Sequence, residues 1–131
     1  MAQSEGREEI KVTGIPEPIS HYTPVVLAGR MLFISGTEPK DEHGNVGKGD
    51  VTAQARRVHE NLKKCLVAAG ATFADVRKVT VFVRNNDRTK INVIRKEYFG
   101  DARPATTLVE ISRLASDDFL VEIEAVALLP S

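Results

Sequence analysis

The chain has 131 residues, a length that suits one compact domain. With 42% apolar and 27% charged residues it is not a disordered chain, and no apolar run is long enough to cross a bilayer. Lys plus Arg balances Asp plus Glu at 18 each, so the basic surplus that grips a phosphate backbone is absent, which argues against nucleic acid as the main partner.

Residues 1–10 read as a flexible lead-in, polar and acidic, with neither the basic start nor the apolar centre of a secretion signal. A single cysteine, Cys65, excludes an internal disulfide framework and suits a reducing compartment, so a cytoplasmic location is expected. Val25-Val26-Leu27 and Met31-Leu32-Phe33-Ile34, separated by Ala28-Gly29, read as two strands joined by a tight turn. Glu38 to Asp50 holds Pro39, Gly44, Asn45, Gly47 and Gly49 and reads as a loop.

Asp50 is a suitable cap for a first helix, whose stripe is Val51, Ala55, Val58, Leu62, Cys65 and Ala69, with Gly70 as its stop. Val79, Val81 and Val83 alternate with polar or opposite-facing residues from Val76 to Arg84, which predicts a strand. Asn86 or Asp87 caps a second helix carrying Ile91, Ile94 and Tyr98, closed by Gly100. Two strands finish the chain, at about 105–111 and 119–128. The order β-β-β, α, β, α, β, β defines an α/β fold. Two helices can cover one face of such a sheet, and the other face is too apolar to stay wet, so a closed symmetric homo-oligomer is expected, with any ligand cleft between subunits.

Glu122 and Glu124 fall in the last, otherwise apolar strand and point to the same side. One of them can hold a water and shuttle a proton, because partial burial moves a carboxylate toward neutral pH; alternatively both pair with Arg or Lys at a subunit contact. Arg103, held extended by Pro104, either clamps a substrate carboxylate or makes a surface salt bridge. Thr106 shares a strand face with Leu108 and Glu110 and either offers a hydroxyl to a ligand or is simply a residue at home in a strand. Ser35-Gly36 either allows close approach of a ligand or simply ends a strand. Tyr22 either lines a cleft or anchors the N-terminal arm. His21, His43 and His59 show no metal-ligand spacing, and His59, beside charged residues, reads as solvated. Cys65 reads as a core thiol.

These residues together resemble the RidA/YjgF family. The likeness rests on Ile19-Ser20-His21-Tyr22, Leu32-Phe33-Ile34-Ser35-Gly36, the helix from Gln54 to Gly70, Val79 to Val83, Asn86-Asp87 to Asn92, Arg103-Pro104-Ala105 and Val121 to Ala127, and it spans roughly residues 15–128. It implies a chorismate-mutase-like fold: a six-stranded mixed sheet with two helices on one face, assembled as a homotrimer with clefts between neighbours. Residues 11–131 would form the single domain. It also implies hydrolysis of reactive enamines and imines, such as 2-aminoacrylate, to a 2-keto acid and ammonia, without metal or organic cofactor.

Position by position, the resemblance gives Glu122 the water-holding role and assigns Tyr22, Ser35, Gly36 and Asn92 to the pocket. His21 stands where the family usually has proline. The family's Pro-Ala-Arg, whose arginine grips the substrate carboxylate, is here Pro104-Ala105-Thr106. A hydroxyl offers one neutral hydrogen bond where a guanidinium offers a charged pair. Activity on 2-aminoacrylate itself is therefore not expected, a less acidic or bulkier imine fits better, and Arg103 or Arg88 is left to replace the missing charge. The alternative is a trimer that binds a ligand or partner without chemistry. A ribonuclease reading lacks both a basic aromatic patch and a His pair.

Overall fold

The computed structural model describes residues 6–130. Six strands form one sheet: β1 (Glu8–Ile10), β2 (Val25–Ala28), β3 (Met31–Thr37), β6 (Val76–Val83), β7 (Ala105–Glu110) and β8 (Val121–Leu128). A hairpin of β4 (Lys40–Asp41) and β5 (Gly44–Asn45) stands apart from it, and the helices are α1 (Val51–Ala68) and α2 (Arg88–Phe99). The spatial order is β1-β2-β3-β8-β6-β7, antiparallel throughout except for the parallel pair β6–β7. A parallel pair needs a crossover, and α2 supplies it.

The helix boundaries follow local chemistry. Asp50 accepts a hydrogen bond from the Ala53 amide at 3.0 Å, capping α1, and Gly70 follows its end at φ 78°, a backbone region most side chains avoid. Burial then sorts the sheet faces. Val25, Leu32, Ile34, Val79, Val81, Val83, Val121, Ile123, Ala125 and Ala127 are all buried, and they pack with Val58, Leu62, Ile91 and Ile94 of the two helices. The Cys65 thiol joins this core as expected, and burial pushes its pKa up to about 11. The opposite face carries Met31, Phe33 and Val109 well exposed. No helix among the described residues is long and apolar enough to cross a membrane.

Three expectations change. The lead-in assigned to residues 1–10 lies partly outside the described residues, but Glu8–Ile10 pair with Val25–Leu27, so the sheet begins before residue 11. The segment from Glu38 to Asp50 holds the β4–β5 hairpin within its loop, because Glu42-His43 allow a tight reversal, braced by the Asp41 carboxylate accepting from the His43 amide. His59 is not solvated: it is fully buried and stacks on Tyr98 with ring centroids 5.2 Å apart. Helix α1 packs against the sheet on one side and α2 on another, so its buried arc is wider than the apolar stripe. Gln54 and Asn61 use the same extra arc. The Gln54 amide donates to Gly47 and Asp118 carbonyls and accepts from the Leu120 amide, fixing the loop that leads into β8.

Candidate functional site

Glu122 and Glu124 lie on the face of β8 turned away from the helices. Opposite them the β3–β8 pairing slips: Ile34 faces Ala125 and Thr37 faces Ile123, so β3 has one extra residue in the Ser35-Gly36 stretch. Such a bulge bends the strand and opens space beside it. The Ser35 hydroxyl donates to the Thr23 carbonyl at 2.7 Å and Thr37 donates to the Ile123 carbonyl at 2.9 Å, which locks the distortion. The Glu122 carboxylate fills the space over Gly36, where a Cβ would overlap it.

The result is an open groove of about 650 Å³ lined by Tyr22, Ser35, Gly36, Glu38, Lys40 and Glu122, among others. Burial raises the Glu122 pKa to about 7, the Glu38 and Glu124 carboxylates push the same way, and the Lys40 ammonium opposes them. Burial also raises the Tyr22 pKa, helped by Glu38 and Glu122, so its phenol stays protonated and able to donate. Lys40 pairs with Glu38 at 3.2 Å. The Asn61 amide of α1 donates to the carbonyls of both residues at 2.9 Å, which fixes this corner of the groove.

Gly36→Ala tests this packing. The obstructed atoms belong to the far end of a flexible side chain, so the carboxylate can swing aside and the fold is retained. Swung aside, it gives up the burial that raises its pKa, so its titration is expected to move from about 7 toward the ordinary carboxylate range at near-wild-type thermal midpoint. A carboxyl titration followed by NMR and a melting curve on the same sample check both halves.

A second groove, of about 780 Å³, lies between α2 and the start of β7 and includes Asn92, Arg95, Lys96, Asp101, Arg103 and Thr106. The Arg95 guanidinium donates to the Thr106 hydroxyl at 2.8 Å through Nη2 and to the Asn92 side-chain oxygen at 3.3 Å through Nη1. Thr106 in turn donates to the Pro104 carbonyl at 3.0 Å.

Seven site residues were expected from the sequence, and the structure divides them. Tyr22, Ser35, Gly36 and Glu122 share the first groove, while Asn92, Arg103 and Thr106 share the second. Pairing explains the division. Thr106 aligns with Val79, whose side chain faces the helices, whereas Glu122 aligns with Phe82 and, through it, with Val109 on the open face. Within one chain Thr106 and Glu122 therefore lie on opposite sides of the sheet. Arg103 is exposed, and Arg88, the first residue of α2, is exposed and does not line the second groove. The sequence reading missed Glu38, Lys40, Asn61 and Arg95. Arg95 lies three residues after Asn92, on the same helix face, and that spacing is the signal that would have found it.

An α/β protein with one helix-covered sheet face, an acidic groove on the other face and a basic groove at the sheet's edge is thus defined. The family model described as Endoribonuclease L-PSP matches residues 13–129. A RutC family protein of Pyrococcus horikoshii is 46% identical over 123 residues, covering 92% of this chain and 97% of that protein. The 2-iminobutanoate/2-iminopropanoate deaminase of Salmonella typhimurium is 37% identical over 122 residues, covering 90% and 94%. The crystal structure of E. coli TdcF with bound serine superposes with a TM-score of 0.87 at 35% identity, covering 94% of this chain and 99% of that one. The chain belongs to the Endoribonuclease L-PSP family, which is the RidA/YjgF family of the sequence resemblance.

Proposed function

We propose that this protein hydrolyses a small enamine or imine to a carbonyl compound and ammonia, with Glu122 as the proton-transfer group. The observation that carries the reading is the Glu122 carboxylate, half-buried over Gly36 beside Tyr22, with a pKa of about 7. At that pKa both protonation states are populated at neutral pH, which a step needing first a base and then an acid requires. The ionised carboxylate takes a proton from water as the water oxygen bonds to the carbon of the protonated imine and the C=N π pair moves to nitrogen, giving a neutral carbinolamine; an enamine first takes a proton at its β-carbon to reach that imine. The protonated carboxyl then returns that proton to nitrogen, the C–N bond breaks with its electron pair leaving on ammonia, and the hydroxyl proton passes to the regenerated carboxylate, and from it to bulk water, as the carbonyl forms. Two relatives supply context: one is named an imine deaminase, and another was crystallised with serine, a compound of similar size.

The two grooves can act on one small molecule only if the acidic groove of one copy meets the basic groove of another. A homotrimer does this while covering the exposed Met31, Phe33 and Val109. Sedimentation is expected to give a single species of three chains; a monomer at micromolar concentration would remove the composite site. Ammonia release from imines generated in situ from several amino acids tests the chemistry. A second reading, ligand binding without turnover, is favoured by Thr106 standing where the deaminase pattern has arginine. It gives saturable ligand uptake and no ammonia above buffer.

A further inference from the structure

We infer that Arg95 is the group that receives the ligand's carboxylate in the α2–β7 groove, with Thr106 and Asn92 orienting its guanidinium. The inference rests on the composite-site reading above and names the class of ligand that site takes. Arg95 is half-buried, and its Nε is shielded from solvent with no hydrogen-bond partner. Arg95 makes no ion pair among the described residues; Arg57 shares this and the shielded, unpartnered Nε, but it lines neither groove. Asp101, the one carboxylate of its groove, does not reach it, while Lys96 and Arg103 add positive charge there.

A guanidinium withdrawn from water without a counter-ion costs stability unless something compensates. Burial accordingly lowers the Arg95 pKa below its ordinary value. Its two hydrogen bonds, to Thr106 and Asn92, go to neutral oxygens that fix the plane of the fork and leave N–H donors unused. A pre-oriented, unpaired, partly dry fork matches a planar carboxylate, which can accept two parallel bonds. Thr106 is then a positioning residue: it supplies no charge but holds the residue that does. The ligand so defined carries a carboxylate, in contrast to the less acidic imine expected from Thr106 alone.

Isothermal titration of the full-length chain with pyruvate, the simplest 2-keto acid, and with pyruvamide, its uncharged counterpart, tests the assignment. Wild type should bind pyruvate at least about tenfold more tightly than pyruvamide, and Arg95→Gln should weaken pyruvate by about tenfold or more while leaving pyruvamide unchanged. Arg95→Lys, which keeps charge but loses the fork, should fall between, and Thr106→Val should weaken pyruvate alone; these two variants carry the test if Arg95→Gln does not fold. Equal pyruvate affinity in wild type and Arg95→Gln, a parallel loss for both compounds, or no uptake of pyruvate by wild type overturns the inference. Failure of the hydrolytic reading shows up elsewhere, as absence of Glu122-dependent ammonia release, and leaves these titrations interpretable.

Discussion

Glu122→Gln is expected to lower ammonia release by about two to four orders of magnitude, the usual contribution of a positioned general acid–base group, with ligand binding little changed. Gln matches the protonated carboxyl in size and polarity, and the protonated form is well populated in the native protein near its pKa of about 7. The substitution therefore removes proton transfer without removing packing. The rate of wild type should rise with pH through an apparent pKa near 7, as the carboxylate ionises, and this limb should vanish in Glu122→Gln. Neighbours set its position with definite sign. Removing the negative charge of Glu124 relieves repulsion and moves the limb to lower pH; removing the ammonium of Lys40 moves it to higher pH. A Glu122→Gln variant as fast as wild type, or one that keeps the limb, would place the chemistry elsewhere.

The elements themselves were readable because each carries a local signal: the valine alternation of β6, the Asp50 cap and three-four spacing of α1, the glycines after both helices. The candidate site was readable only in pieces. Alternation along β7 places Thr106 with Leu108, and alternation along β8 places Glu122 with Glu124, but alternation within one strand cannot say how the faces of two strands correspond. That correspondence comes from the register of β7 and β8 on either side of β6, a long-range property. Lys40 and Glu38 were hidden for a different reason: in a loop of mixed polar residues and glycines, no periodicity marks which side chains turn inward. His59 was misjudged because Arg56, Arg57 and Glu60 beside it suggest a wet face, whereas contact with α2 buries it.

That burial makes His59 the source of a large acid-linked loss of stability. Its Nδ1 lies 2.7 Å from the Ala55 carbonyl, which fits the neutral tautomer protonated there and leaves Nε2 bare and shielded from solvent among the helix-packing aromatics. Charging the ring would put a proton on Nε2 in a dry pocket. Burial is the main reason its pKa falls from 6.5 to about 4; the Ala55 bond opposes that fall, and the guanidinium charges of Arg95 and Arg56 add to it. The unfolded chain binds this proton at pH 6.5 and the native chain only near 4. The stability associated with a neutral His59 is therefore complete above pH 6.5 and erodes as pH falls through that window, by about 3 kcal/mol in total. Glu122 works in the opposite sense over an overlapping range, since its raised pKa lets the native state gain a proton first as pH falls. The wild-type curve alone thus understates the histidine, and the comparison that isolates it is His59→Leu against wild type, by denaturant titration at fixed protein concentration. Moving from pH 7.5 to 4, His59→Leu should gain about 3 kcal/mol relative to wild type, whatever its stability at neutral pH. A difference between the two that stays constant across this range would mean that His59 reaches water in the native state and that the contact between α1 and α2 is looser than its stacked rings indicate.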